Sequence, residues 1–256
     1  MLWRPRLLAS EPPELLVHDE PTPCPYLDLK TARMPLRVPT RTLTKPELDR
    51  RLEVGDRRQG VLLYQTKCPA CRACEPIRID VPRFAANKTQ RRVWRKGQKR
   101  FRVEMGSPGL SDERVELYNR HKFGRGLNSD DKPIDPEGYR IFLVDSCCPT
   151  FELRYYVGDT LVGVAIVDRG AEALSAVYCY FDPDYEDLSP GTFSILMQVE
   201  LCRRWSLPYL YLGLYIEECS SMAYKRRYLP HERLIDGAWV AFDRPAAASD
   251  RTSDGT

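Results

Sequence analysis

Three cysteines stand at two-residue gaps in Cys68-Pro69-Ala70-Cys71-Arg72-Ala73-Cys74, and Glu75-Pro76-Ile77-Arg78 follows at once. Thiolates at this spacing match the turns that hold zinc or iron–sulfur clusters, which need four donors. Cys24, in Pro23-Cys24-Pro25-Tyr26-Leu27, is the candidate fourth ligand. The plainer alternative is a set of thiols packed as small apolar side chains. That alternative is the better fit for Cys147, Cys148, Cys179, Cys202 and Cys219, which are isolated or lie in apolar segments. Arg78, just after the cluster, points to an anionic partner.

A second chemistry sits in Lys88–Arg102, with eight Lys or Arg in fifteen residues and no acid. The whole chain carries a net +3; without this segment it holds 31 basic and 36 acidic residues, a net −5. Basic character is therefore local, the footprint of a polyanion-binding patch. Ordinary solvated helices alternate charge sign, and this one does not. Arg91, Arg92, Arg95, Lys96 and Lys99 are the candidate nucleic-acid contacts, with Trp94 and Phe101 as apolar anchors.

The third concentration lies late in the chain. Tyr178-Cys179-Tyr180-Phe181-Asp182-Pro183-Asp184 places rings and carboxylates at a strand end. Ser189-Pro190-Gly191-Thr192 then starts a helix, whose first N–H groups bind anions. Further on, Gly213 interrupts the aromatic run Tyr209–Tyr215, which suits close backbone approach by a ligand. Tyr224, Lys225 and Arg226 follow, and the two cations could pair with a carboxylate. Packing and turn formation are the plainer roles for each tyrosine and aspartate here.

The elements that must position these groups are legible in outline. Thr44-x-x-Glu47 is a capping box for a helix running to about Val54. Gly60–Tyr64 and Ile77–Val81 read as strands entering and leaving the cysteine turn, a knuckle suited to metal. Asn87–Phe101 and Ser111–Phe123 read as helices, and 124–138 as a polar loop or lid. Phe151–Val157 and Leu161–Asp168, joined by Gly158-Asp159, read as a hairpin, with Leu174–Phe181 as a third strand. A largely buried helix runs from Pro190 to about Trp205. Tyr209–Leu212 is a short strand, Met222–Tyr228 a short helix and Glu232–Phe242 a strand or hairpin. Residues 1–43 are proline-rich and read as irregular.

At 256 residues the chain has room for a real core. No apolar run approaches the roughly 18 residues of a membrane span. The N-terminus lacks an apolar h-region, so export is not expected, and the nine cysteines read as free thiols of a reducing cytoplasm. There is no Gly-x-Gly-x-x-Gly, Walker A, Gly-x-Ser-x-Gly or His-Glu-x-x-His. His18, His121 and His231 lie far apart, so a histidine triad is not supported. An enzyme built this way handles an already activated substrate.

Together the segments from Cys24 to Tyr228 resemble one family, the aminoacyl-tRNA–protein transferases of the arginyltransferase type. Cys24–Leu27, Cys68–Arg78, Tyr178–Pro183, Gly191-Thr192, Tyr211–Gly213, Cys219, Met222, Tyr224 and Lys225 carry the resemblance. Within it the chain is similar to the short bacterial branch, whose members carry leucine onto N-terminal Asp or Glu. The longer eukaryotic branch carries arginine and pairs Cys-x-x-Cys with later adjacent cysteines. Here Leu27 takes the second place of the first pair and three cysteines stand later, keeping the count at four.

The resemblance implies an α+β fold: an N-terminal cysteine-rich region joined to an acetyltransferase-like mixed sheet with flanking helices. The expected units are a cysteine-rich and basic-helix domain over 1–138, the acetyltransferase-like domain over 139–243, and a polar tail over 244–256. The implied reaction moves an amino acid, leucine favoured, from aminoacyl-tRNA to the α-amine of proteins beginning with Asp or Glu, creating a degradation signal. Arg78, Lys225 and Arg226 would read the acidic side chain, beside Gly213 and Tyr224. Tyr178, Tyr180 and Tyr215 would orient the aminoacyl adenosine or donate to the oxyanion, and Asp182 would steer the amine proton. The transfer needs no cofactor; zinc or a cluster on Cys24, Cys68, Cys71 and Cys74 would be structural or regulatory. The alternatives are arginyl transfer by the same mechanism and a non-catalytic zinc-knuckle RNA-binding protein. A CoA-dependent acetyltransferase is disfavoured, because 188–192 lacks the usual pyrophosphate loop.

Overall fold

The computed structural model describes residues 5–126 and 132–244. Its first strands are β1 (Arg6–Leu8), β2 (Glu14–His18), β3 (Pro21–Pro23), β4 (Thr31–Arg33), β5 (Leu36–Pro39), β6 (Arg57–Gln59) and β7 (Leu62–Tyr64). The later strands are β8 (Glu75–Asp80), β9 (Arg102–Gly106), β10 (Thr150–Val157), β11 (Thr160–Arg169), β12 (Ala173–Phe181), β13 (Tyr209–Tyr215), β14 (His231–Ile235) and β15 (Ala238–Phe242). The helices are α1 (Lys45–Glu53), α2 (Lys88–Arg100), α3 (Asp112–Gly124), α4 (Pro136–Tyr139), α5 (Pro190–Arg204) and α6 (Ser220–Ala223).

Eight strands form the main sheet, in the order β15-β14-β8-β13-β12-β11-β10-β9. All its neighbours are antiparallel except β12 and β13, which α5 connects. The result is a mixed α+β fold. A boundary at 138 would cut this sheet, because β8 and β9 precede it yet β8 sits between β13 and β14. The expected cysteine knuckle is also not a hairpin: β7 pairs with β5 and β6, and β8 belongs to the main sheet. Residues 1–43, read as irregular, supply β1–β5. Their prolines fall at strand ends or in the two-stranded β3–β4 ribbon, where a missing N–H is tolerated. The tail over 245–256 and residues 127–131 of the expected lid lie outside the described residues.

One sheet face carries α2 and α5, whose Val93, Phe193, Leu196 and Val199 pack with Leu153, Val162 and Leu212. The other face carries α3 and the helical turn after Asp135, where Tyr118, Tyr139 and Leu143 meet Val164, Ile166 and Tyr180. A third cluster joins α1 and the five-stranded sheet β1-β2-β5-β7-β6 to the main sheet through Leu48, Leu63, Ala173 and Tyr211.

Local signals explain most of these elements. Thr44 N–H and Oγ1 donate to Glu47 Oε2 at 2.7 and 2.9 Å, closing the capping box of α1. Asn87 and Gln90 do the same for α2. Three bulges in the main sheet do not announce themselves in the sequence. In β11 the pairing skips Val162, in β12 it skips Val177, and in β13 it skips Leu212. Each skipped residue reverses the in–out alternation that follows it.

Helix α2 lies tight on α5 because Gly97 has no side chain; a Cβ there would stand 2.1 Å from the Phe193 ring. Trp94 stacks on that same ring, with centroids 5.4 Å apart. Gly97→Val is therefore expected to lower stability by about 1–3 kcal/mol through overpacking. Urea unfolding should show an earlier midpoint with an unchanged m-value.

Candidate active site at a strand split

Strands β12 and β13 pair over only three positions: Ala173 with Tyr209, Leu174 with Leu210 and Ser175 with Tyr211. Beyond them β12 continues to Phe181 against β11, and β13 continues to Tyr215 against β8, but no ladder pair joins the two. The centre of the sheet is split. Backbone groups facing the split need partners, because a buried orphan is costly.

Two cations supply them. Arg57, half-buried on β6, directs Nη1 to Ser175 Oγ at 3.3 Å and Nη2 to the Ala176 carbonyl at 3.4 Å. Ala176 is the first residue of β12 past the last β13 pair. Lys225, buried on the turn after α6, donates Nζ to the Leu214 carbonyl of β13 at 2.6 Å and touches Met222 Sδ at 3.1 Å. Gly213, at φ +88°, lets Arg57 lie on the backbone; a Cβ would stand 3.0 Å from Arg57 Nη2. Among the described residues neither cation forms an ion pair with a carboxylate. Asp168, whose field reaches Arg57, has both oxygens on Arg58 at 2.8 Å. Burial pulls the Lys225 ammonium down to about 7, Arg57 pushes the same way and Cys219 opposes them.

Other expected residues stand elsewhere. The bulge at Val177 turns Tyr178 and Tyr180 onto the α3 face. Tyr180 is fully buried with its hydroxyl on that of Tyr139, and burial raises both phenols. Tyr178 packs among Tyr118, Phe142 and Tyr180. Asp182 takes Arg120 Nη2 at 2.8 Å and caps Asp184 N–H at 3.1 Å, so it is a turn residue. Tyr215 is buried at the end of β13, with the Arg233 guanidinium 4.7 Å over its ring. Arg78, expected to read an acid, is already taken. It donates to Glu53, to Glu232 at 2.6 Å and to Tyr211 Oη at 2.8 Å, between the Tyr209 and Trp239 rings. Tyr224 and Arg226 are exposed beside Lys225, and Arg226 has only Glu217 at 3.9 Å.

Two family models match the chain: "Arginine-tRNA-protein transferase, N terminus" over residues 22–92, and "Arginine-tRNA-protein transferase, C terminus" over 113–235. The relative named aspartate/glutamate leucyltransferase from Thiobacillus denitrificans is 37% identical over 225 residues, covering 86% of this chain and 91% of its own. The relative of the same name from Aeromonas hydrophila is 38% identical over 221 residues, covering 86% and 92%. The chain belongs to the arginine-tRNA–protein transferase family. A solved structure, that of L-PGS from Bacillus licheniformis, is similar with a TM-score of 0.47 and 10% identity, over 67% of this chain and 59% of that one.

In this transferase the basic helix sits beside the split. Gln90 Nε2 donates to the Arg227 carbonyl at 3.2 Å, tying the start of α2 to the turn that carries Lys225. Gln90, Val93 and Gly97 face inward, which leaves Arg91, Arg92, Arg95, Lys96 and Lys99 exposed. Among the described residues only Lys96 of these five has a carboxylate, Asp187 at 2.9 Å. At the other rim, burial raises the Tyr228 phenol, and Thr192 in the first turn of α5 opposes that rise.

The four expected metal ligands are neighbours. Burial pushes the Cys74 thiol up to about 12, and the fields of Cys68, Cys24, Cys71 and Cys219 add to it. Cys219, read as a core residue, is half-exposed and belongs to this group. Yet among the described residues no three His, Cys, Asp or Glu side chains stand where they could hold a metal ion. These thiols do not fit a metal centre. Cys147, Cys148 and Cys202 are buried as expected. Sequence reading missed Arg57; its only mark is a pair of arginines between Gly55 and Gly60 in a strand-like segment.

Lys225 gives a pH prediction. Its ammonium is held at about 7 in the folded chain against 10.5 ordinarily, so the unfolded state binds the extra proton between those values. The cost of the buried charge is full below about pH 7 and fades toward 10.5. Lys225→Met should therefore gain most stability over the parent at acid pH. Urea unfolding at several pH values should show that advantage shrinking as pH rises.

Proposed function

We propose that this transferase moves an amino acid, leucine favoured, from aminoacyl-tRNA to the α-amine of proteins beginning with Asp or Glu. The conjugate then serves as a degradation signal, and the reaction belongs in the cytoplasm. The names of the relatives support leucine and the acidic acceptor. The observation that carries the reading is the pair of cations at the split, held without a carboxylate. A site that must bind an acidic side chain leaves that place open. No helix among the described residues is long and apolar enough to cross a membrane. The opening of a single parallel pair at the sheet centre also supports an acetyltransferase-like reading of the fold.

The chemistry asks little of the protein. The donor is an activated ester, and an α-amine with a reference pKa of about 7.7–8.0 is partly neutral at cytoplasmic pH. The amine nitrogen attacks the ester carbonyl, the carbon–oxygen bond to the ribose breaks, and the tRNA hydroxyl leaves with the proton as the amide forms. No cofactor is required. What remains is holding amine against ester and stabilising the oxyanion. Backbone N–H groups of β12 past Ser175, which have no β13 ladder partner, and of the first turn of α5 are the candidate donors. Lys225 is the cation that meets the acceptor, and α2 takes the tRNA backbone. The family models' own description keeps arginine as the alternative donor.

Incubating the protein with labelled Leu-tRNA or Arg-tRNA and peptides headed by Asp, Glu or Ala should give leucyl transfer to the first two. Absence of transfer to acidic peptides would sink the reading. Replacing Arg91, Arg92 and Arg95 by Gln should weaken tRNA binding and reduce its log–log salt slope by about 0.7–0.9 for each phosphate that is no longer neutralised. Arg78→Gln breaks a buried network and should cost about 3 kcal/mol in urea unfolding. The protein that remains folded should still prefer Asp over Asn peptides; a vanished preference would return Arg78 to the substrate site.

A further inference from the structure

We infer that Arg57 is the residue that determines acceptor specificity, its guanidinium gripping the acceptor's side-chain carboxylate together with Lys225 at the mouth of the β12–β13 split. The inference rests on the transferase reading and names the group that makes it selective. Arg57 lies on the small sheet, far in sequence from every other part of the site, and only the tertiary fold brings it there.

The four candidate cations separate cleanly. Arg78 is saturated by Glu53, Glu232 and Tyr211. Arg226 is exposed at the surface near Glu217. Lys225 is buried, and among the described residues the oxygen it bonds is the Leu214 carbonyl. Arg57 remains: half-buried, bonded among the described residues only at 3.3 and 3.4 Å to neutral oxygens, and packed on a glycine backbone. Long bonds to neutral acceptors leave a guanidinium with capacity for a carboxylate, which it binds through two parallel N–H groups. Its field also reaches Tyr26 and Tyr64, which places the Cys24-Pro25-Tyr26 motif of the N-terminal arm near Arg57.

The two cations differ in kind. Burial pulls the Arg57 guanidinium down from its ordinary value, yet a guanidinium starts far above working pH; the Lys225 ammonium is pulled to about 7 by burial, with Arg57 adding to the pull and Cys219 opposing it. A carboxylate arriving between them supplies the missing counter-charge. Docking an acidic side chain then drives Lys225 toward its charged form, and an amide side chain does not.

Kinetics with peptides headed by Asp, Glu, Asn and Gln test this on the full chain with Leu-tRNA. For Arg57→Gln the Asp-over-Asn ratio of kcat/KM should fall about 10- to 100-fold, chiefly through KM. Arg57→Lys should keep part of the preference. A wild-type ratio retained in Arg57→Gln overturns the inference. Wild-type protein that transfers to no acidic peptide overturns the underlying transferase reading instead. Because Arg57→Gln also loses bonds to β12, calorimetry on wild-type protein gives a second measurement independent of its folding. In buffers of different ionisation enthalpy near neutral pH, the Asp peptide should bind with proton uptake beyond that of the Asn peptide. Equal uptake by both overturns the clamp.

Discussion

Much of this molecule follows from the shortness of the parallel junction between β12 and β13. Three paired positions are enough to hold the two halves of the main sheet together, and α5 secures them as the crossover. Past those positions the sheet opens, and backbone carbonyls that a continuous ladder would have used must find other donors. The protein meets that need with cations rather than with strand. Arg57 takes Ala176 and Lys225 takes Leu214, so the groups that satisfy the fold also create the local positive field. Structure and site are here one solution to one unsatisfied edge.

Several interior charges are balanced by close partners, and Arg57 and Lys225 stand against that background. Arg58 and Asp168 share two bonds in the interior, Arg78 holds two carboxylates, and Arg114 holds the fully buried Glu152. Arg58 and Arg78, the buried arginines among the described residues, are matched to acids because an unmatched buried charge is expensive. Leaving Arg57 and Lys225 without an acid among the described residues costs stability, in line with the burial that pulls the Lys225 ammonium down. A cost of this kind fits a place completed by a ligand. The α2 patch shows the opposite economy: its cations are exposed and well hydrated, so their lack of acids costs little and leaves them available to a polyanion.

Several local features were legible from the chain alone, because each rests on neighbours in sequence. The capping box at Thr44, the hairpin turn at Gly158, and the helix opened by Pro190 follow from spacing and residue type. The inward stripe of α2 at Gln90, Val93 and Gly97 likewise follows from helical period, and with it the exposure of the basic residues. The alternation of β12 did not survive, since one bulged residue at Val177 sends Tyr178 and Tyr180 to the opposite face. A bulge is set by how two strands twist against their partners, and residue type along one strand carries little of that. The strands within 1–43 are hidden for a related reason: short, proline-bearing segments become strands only when a partner edge is present.

Residue order alone was enough for the family, the basic helix, the buried α5 and the presence of Lys225 beside an interrupted aromatic strand. Periodicity, capping and motif order are local properties, and they persist whatever the chain does at long range. Which cation is free was settled by folding in three dimensions. Arg78, Arg57 and Lys225 look alike as letters, and their states depend on whether Glu53 and Glu232 or bare carbonyls come to meet them. Those partners lie up to 154 residues away in the chain. A charge's availability is a property of its surroundings in space, and the split between β12 and β13 sets those surroundings.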